Sequence, residues 1–291
     1  MSARDAVRIV EVSPRDGLQN EPRAVSTADK VRLVDLLSQA GFAEIEAASF
    51  VSPKRVPQMA DGAAVLAGIR RRVGIRYSAL APNLRGFEAA RGAGADAVSI
   101  FASASEGFSQ ANIGCSIADS LERFRPVAEA ARAAGLPLRG YVSCVTDCPY
   151  DGPVAPVAAA SVAVSLAELG CAEISLGDTL GRATPETIRA MLAALLAELP
   201  ATRLAGHFHD TAGRALVNVE ASLDLGLRAF DASVAGLGGC PFAPGAAGNV
   251  DTLSLHRRLV ELGFDTGLDP TALERAAAFA RSLRTGSEAA A

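Results

Sequence analysis

Glu168-Leu169-Gly170-Cys171-Ala172-Glu173-Ile174-Ser175-Leu176 is the stretch from which the fold can be read. A helical segment ends, a glycine follows, and within two residues a short β-rich run begins. Glycine directly after a helix is the expected C′ residue, because it enters the left-handed region without a Cβ clash. The same unit recurs along the chain: Gln39-Ala40-Gly41 before 43–50, Gly92-Ala93-Gly94 before 97–102, Ala133-Ala134-Gly135 before 138–145, and Asp224-Leu225-Gly226 before 229–234. Helix starts are also marked. Ser26-Thr27-Ala28-Asp29 resembles a capping box, and Thr184-Pro185-Glu186 offers a cap, a proline suited to the first helical position and an early acid.

Working outward, the spacing predicts eight strands, at 7–12, 44–48, 76–80, 97–102, 138–145, 172–176, 204–209 and 229–234. Eight short strands alternating with helices fit a parallel (β/α)₈ TIM barrel better than an open doubly wound sheet. The barrel is expected over about 6–236, followed by a Gly-rich lid loop and extra C-terminal helices over about 237–285, near Thr252–Glu261 and Pro270–Leu283. All of this is expected to form one domain over 1–291, with a frayed tail at 287–291.

Composition excludes several function classes. The net charge of −4 gives no electrostatic support for a nucleic-acid role. Although 49% of the residues are hydrophobic, no apolar run approaches the roughly 20 residues of a membrane helix. The start, Met1-Ser2-Ala3-Arg4-Asp5, leads straight into a strand and leaves no room for a targeting segment. Five cysteines, an odd number with no CxxC pair, argue against a disulfide framework. A reduced, cytoplasmic protein is expected, with Cys144 and Cys148 as ordinary loop cysteines.

In this fold the catalytic groups lie at the C-terminal ends of the strands and in the loops that follow. Strand seven ends in Gly206-His207-Phe208-His209-Asp210-Thr211, which holds two of the three histidines at i and i+2. On a strand that spacing puts both imidazoles on one face, as half of a divalent-metal site or as mere decoration of a strand end. Strand one ends in Ser13-Pro14-Arg15-Asp16-Gly17-Leu18-Gln19-Asn20-Glu21. Asp16 is the natural carboxylate ligand, unless it forms an Asx-turn before Gly17. Two imidazoles, a carboxylate and an amide oxygen suit a moderately hard ion such as Mg²⁺, Mn²⁺ or Co²⁺.

Arg15 would point away from Asp16 in an extended segment, unless the turn changes direction there. It either neutralises a developing enolate or forms a structural ion pair at the mouth. Glu46 on strand two shares a face with Glu44, and an acid inside the barrel must be paired or at the site. Asp178, after strand six, is a further rim acid. His256, beside Arg257 and Arg258, reads as surface.

The stretch from Gly236 to Asn249 is rich in Gly and Pro and is expected to form a mobile cover. Cys240 within it is either a proton donor or nucleophile, or inert.

With these residues assembled, the chain resembles the 3-hydroxy-3-methylglutaryl-CoA (HMG-CoA) lyase family. Six stretches carry the resemblance: Glu11–Glu21, Ser49–Lys54, Arg139–Cys144, Glu173–Thr179, His207–Thr211 and Val234–Pro241. The resemblance implies that Asp16, His207, His209 and Asn249 ligate a divalent cation, Mg²⁺ or Mn²⁺. Cys240 would be the catalytic thiol and Arg15 the substrate-facing cation, with Glu46, Asp178 and Gln19 as further active-site residues. The implied reaction is a retro-Claisen cleavage of HMG-CoA to acetoacetate and acetyl-CoA, with Asp178 or His207 as the base, in an enzyme resembling a homodimer. One departure stands out. After Gly248-Asn249 the family commonly continues with a Thr-Glu-Asp run, whereas this chain reads Val250-Asp251-Thr252-Leu253-Ser254.

Three alternatives remain at this level. One is cleavage of a related 3-hydroxyacyl-CoA. The second is the reverse, Claisen-condensing direction, as in isopropylmalate-synthase-like enzymes that also carry a His-x-His pair. The third is a silent metal- or CoA-binding protein, against which the intact set of candidate residues argues.

Overall fold

The computed structural model describes residues 5–238 and 248–285. Its strands in chain order are β1 (Arg8–Glu11), β2 (Glu44–Ser49), β3 (Arg76–Leu80), β4 (Ala97–Ser103), β5 (Leu138–Ser143), β6 (Asp147–Cys148), β7 (Gly152–Pro153), β8 (Glu173–Asp178), β9 (Leu204–Phe208) and β10 (Ala229–Ala232). The helices are α1 (Thr27–Leu37), α2 (Gly62–Gly68), α3 (Leu84–Gly92), α4 (Glu106–Ile113), α5 (Ile117–Ala133), α6 (Pro156–Leu169), α7 (Pro185–Leu196), α8 (Ala215–Asp224), α9 (Thr252–Glu261) and α10 (Pro270–Thr285).

Eight of the strands close a barrel in the order β1-β10-β9-β8-β5-β4-β3-β2, and β6 and β7 form a small antiparallel hairpin after β5. All barrel pairings are parallel. The expected (β/α)₈ barrel is therefore present. Its five marker glycines, Gly41, Gly94, Gly135, Gly170 and Gly226, all have positive φ, between 66° and 108°. Ser26 caps α1 by accepting the Asp29 N–H, and Thr184 forms a reciprocal capping box with Thr187 ahead of Pro185.

Strands one, five, seven and eight are shorter than expected. β5 stops at Ser143 because Cys144 turns into the left-handed region at φ 58°. Cys144 and Cys148 lie in the loop and hairpin that follow, but both are buried. Among the described residues no helix is long and apolar enough to cross a membrane.

Period-two alternation explains the strand sequences. Ile45, Val98, Ile100, Val142, Ile174, Leu176, Phe208 and Phe230 are buried in the apolar core. The alternate positions, Glu46, Ser99, Arg139, Tyr141, Ser175, His207 and Asp231, are buried too and hydrogen-bond to one another. Barrels of this class usually fill the inside with Val, Ile and Leu layers. Here the inside is a polar network.

α10 lies against α1, α9 and the turn at Val234–Gly236. The buried face of α9 is Thr252, Leu255, His256 and Leu259, a helical i, i+3, i+4, i+7 stripe. His256 is thus not a surface residue. It is 7% exposed, and its Nδ1 is 2.8 Å from the Thr266 hydroxyl. The neighbouring arginines are on the solvent side of the helix and disguise its position.

Glu11, at the end of β1, joins three segments. Its Oε1 accepts the Ser13 and Val234 N–H groups, each at 3.0 Å, and its Oε2 accepts the Thr252 hydroxyl at 2.7 Å. Burial nevertheless outweighs these bonds and pushes its carboxyl up to about 7 from an ordinary 4.5. The folded chain then keeps a proton that the unfolded chain releases between those values, so this group's contribution to stability falls as pH rises across the window. On the order of 3 kcal/mol is expected to be lost. Denaturant unfolding of the wild type and of Glu11→Gln, compared from pH 4.5 to pH 7, isolates the effect. The stability difference between the two should shift in favour of the Gln variant as pH rises; a pH-independent difference would show that Glu11 titrates alike in the folded and unfolded chains.

Candidate metal centre and active site

The chain between β1 and α1 does not leave the barrel extended. Ser13–Gly17 forms a single π-helical turn, in which the Arg15, Asp16 and Gly17 N–H groups all point at the Val12 carbonyl, at 3.2, 2.8 and 3.2 Å. Such turns recur at functional sites because they re-aim consecutive side chains. The segment is therefore not extended but changes direction at Arg15, whose Nη1 donates to Asp16 Oδ1 at 2.6 Å. Gly17 is required for packing: a Cβ there would lie 2.8 Å from both Leu237 Cβ and Ser233 Oγ.

β9 delivers His207 and its neighbour His209 to the same mouth, with ring centroids 5.3 Å apart. One ligand atom from each of Asp16, His207 and His209 lies within 4.8 Å of the others. Each imidazole is held from behind. His209 Nδ1–H donates to the Thr179 carbonyl at 2.9 Å, and His207 Nδ1–H donates to Asp231 Oδ2 at 3.0 Å. In the neutral form of each ring these bonds leave the lone pair on Nε2. His207 Nε2 and Asp16 Oδ2 face each other at 3.8 Å, too far for a hydrogen bond. Two ligands about 2.1 Å from one ion lie roughly 3 to 4 Å apart. Small side-chain adjustments would close the triad on a cation, so the donor set fits a divalent metal.

Asn249 comes from the far end of the Gly-rich stretch. Its backbone bridges to His209, the Asp210 N–H donates to the Gly248 carbonyl at 2.7 Å, and the Val250 N–H donates to the Phe208 carbonyl at 3.0 Å. The returning chain is thereby zipped to the end of β9. Asn249 Nδ2 donates to Asp16 Oδ2 at 2.8 Å. Turning the amide over would exchange this donor for Oδ1, the atom a cation takes. Gln19 also reaches the triad, its Nε2 donating to Asp16 Oδ1 at 3.2 Å.

Glu46 is placed behind the site. It accepts from Arg15 Nε at 2.5 Å, from the Tyr141 hydroxyl at 3.1 Å and from the Ser99 hydroxyl. Asp178, at the end of β8, accepts the Arg182 and Ala183 N–H groups at 3.2 and 3.0 Å, and so shapes the loop after its strand. Burial, helped by nearby Asp147, raises its carboxyl to about 6. Segment 239–247, with Cys240 and most of the expected lid, lies outside the described residues. The described base of that segment is gripped by Arg284 of α10, whose Nη2 donates to the Gly236 and Gly238 carbonyls at 2.9 and 3.1 Å. Leu253, where the family commonly carries an acid, lies in the first turn of α9 and packs partly buried against the apolar core.

The sequence reading missed Asp231 and the inward roles of Arg139, Tyr141 and Ser175. The available signal was a charged residue in the middle of a strand covered by helices, which must be paired inside.

Comparison with known proteins identifies the family. Residues 6–280 match the family model described as HMGL-like. The chain belongs to the HMGL-like family. It is 58% identical over 273 residues, 94% of this chain and 91% of the relative, to the 3-hydroxy-3-isohexenylglutaryl-CoA/hydroxy-methylglutaryl-CoA lyase of Pseudomonas aeruginosa. The crystal structure of the HMG-CoA lyase from Brucella melitensis superposes with a TM-score of 0.96 at 61% identity, covering 97% of this chain and 99% of that one. An HMG-CoA lyase from Acinetobacter baumannii in complex with coenzyme A and 3-methylmalate superposes with a TM-score of 0.91 at 38% identity, covering 97% and 92% of the two chains.

The local charges order the protonation of the triad. Burial raises Asp16, but Arg15 and the two histidines outweigh it and bring the carboxyl down to about 2. Burial and the neighbouring His207 lower His209 to about 4. Burial lowers His207 as well, but its bond to Asp231 and the charges of Asp231 and Asp16 leave it above 6.5. Protons compete with a cation for these atoms. On acidification His207 protonates first, so Mn²⁺ affinity is expected to fall about tenfold per pH unit below the His207 pKa and more steeply below about 4. Equilibrium Mn²⁺ titrations across this range check it; an affinity unchanged by acidification would exclude the triad as the ligand set.

Proposed function

We propose that the protein is a divalent-metal-dependent carbon–carbon lyase that cleaves HMG-CoA to acetoacetate and acetyl-CoA. The Asp16–His207–His209 cluster beside Arg15 at the barrel mouth, in a chain of this family, carries the reading. Asp16, His207, His209 and Asn249 would hold the cation, Mg²⁺ or Mn²⁺. When bound, that ion supplies Lewis acidity, orienting substrate oxygens and lowering the pKa of the hydroxyl.

The chain's own groups divide the remaining work. Asp178 takes the hydroxyl proton, since its carboxyl titrates at about 6, close to working pH. His207 is less suited to that role, because Asp231 occupies Nδ1 and Nε2 faces the ligand cluster. Loss of the hydroxyl proton lets the adjacent carbon–carbon bond break, and the electron pair leaves on the acetyl-CoA enolate. Arg15, permanently charged and fixed by Glu46 and Asp16, stabilises that negative charge electrostatically. Cys240, two residues along the chain from the Arg284-held Gly238, returns a proton to the enolate carbon. Gln19 contributes to binding the substrate through its position at Asp16. An acyl-CoA is the small-molecule partner, and the enzyme acts as a cytoplasmic homodimer.

A second reading concerns substrate breadth. The Pseudomonas relative's name includes a substrate with an isohexenyl tail, and the exchange at Leu253 makes this chain's site region differ from the common family pattern. A longer 3-hydroxyacyl-CoA is the alternative substrate under the same chemistry.

Metal-loaded protein is expected to release acetoacetate from HMG-CoA, and chelation to abolish it. Absence of acetoacetate together with cleavage of a longer-tailed analogue would replace the substrate and keep the chemistry. Cys240→Ala is expected to lower kcat by at least about 100-fold while leaving Mn²⁺ affinity within about twofold. Equal losses in both would instead make Cys240 a ligand or a folding residue.

A further inference from the structure

Seven side chains form a closed circuit inside the barrel. Arg15 donates to Glu46 at 2.5 Å, and Glu46 accepts the Tyr141 hydroxyl at 3.1 Å. Tyr141 in turn accepts from Arg139 Nη1 at 2.8 Å. Arg139 binds Asp231 through two bonds, Nη2 to Oδ1 at 2.7 Å and Nη1 to Oδ2 at 3.1 Å. Asp231 Oδ2 also accepts from Ser175 at 2.7 Å and from His207 Nδ1–H at 3.0 Å. His207 Nε2 faces Asp16 at 3.8 Å, and Asp16 returns to Arg15 at 2.6 Å. The donor directions are consistent at every link but one. Between His207 Nε2 and Asp16 two lone-pair bearers face each other, which is where the circuit has room for a cation.

We propose that Asp231, held by Arg139, is a positioning residue that fixes His207 as the Nδ1–H tautomer and aims its Nε2 at the metal site. Three observations support the assignment. Asp231 is 1% exposed and lies on β10, while its partner arginine comes from β5 and its histidine from β9, so it has no role in local structure. The bidentate arginine leaves one carboxylate oxygen directed at His207 and stabilises the ionised form that can only accept. A ligating histidine whose distal N–H is held by a carboxylate gains basicity and a fixed orientation, and loss of such a partner typically costs 10- to 100-fold in metal affinity. Arg139 and Tyr141 extend the same hold across the barrel to Glu46 and Arg15, so the cation ligands and the arginine beside them share one frame. The proposal rests on the metal-site reading above.

Asp231→Asn tests it. The amide still fits, but one of its two polar ends is an N–H₂ group that cannot accept from both Arg139 and His207. Mn²⁺ affinity, followed by the loss of free-ion electron paramagnetic resonance signal, is expected to fall 10- to 100-fold with the far-ultraviolet dichroism unchanged. Asp231→Glu, which keeps the carboxylate, should recover part of the loss. A folded Asn variant that binds Mn²⁺ within about twofold of the wild type would overturn the proposal. Wild-type protein that binds no Mn²⁺ would instead overturn the metal-site reading. Should the Asn variant fail to fold, the wild type still decides. With only three histidines in the chain, ¹⁵N-labelled imidazole spectra assigned with a His207→Gln reference report its tautomer. A proton on Nδ1 supports the assignment, and a proton on Nε2 refutes it.

Discussion

A buried arginine inside a barrel is a constraint before it is a feature. Arg139 on β5 carries a charge that solvent cannot reach, and it is tolerable only because Asp231, Glu173 and the Tyr141 hydroxyl surround it. Arg15 poses the same problem nearer the mouth and is answered by Glu46 and Asp16. Meeting these two demands fixes the bearings of His207, Glu46 and Asp16 together. The polar layer that would weaken an ordinary barrel core here serves as the floor on which the site is laid.

Above that floor, two chain segments that are far apart in sequence become one surface. The π-helical turn at Ser13–Gly17 brings Arg15 and Asp16 inward, and the strand-like return at 248–250 carries Asn249 to Asp16. Glu11 accepts hydrogen bonds from both neighbourhoods, through Ser13, Val234 and Thr252. The exit of the Gly-rich segment from the barrel and its return to it are thus tied to the residue that also braces the turn carrying Arg15 and Asp16.

The architecture was legible because it is written in local chemistry. Glycines after helices, caps before them and short β-rich runs need no long-range knowledge, and the eight strands appear where those signals put them. The histidine pair was legible for the same reason, since period two places both imidazoles on one face. What escaped is non-local. Asp231 means nothing until the curl of the barrel brings β5 round to face β9 and β10 across its interior. The direction of Arg15 stayed open because a π turn has no distinctive composition. His256 was assigned to the surface because its flanking arginines are more visible than the i, i+3, i+4 stripe to which it belongs.

The polar interior also bears on how divisible the chain is. Arg139 on β5 and Asp231 on β10 are 92 positions apart in the chain, yet they face each other inside the barrel. A fragment ending after β8 would keep the arginine with Glu173 but lose Asp231, and a fragment beginning at β8 would keep Asp231 without the arginine. Breaking a buried pair by removing one partner costs about 3–5 kcal/mol, a large share of a domain's whole stability. The chain is therefore expected to fold as a unit across that point, because each side of the cut holds a counterion of the other.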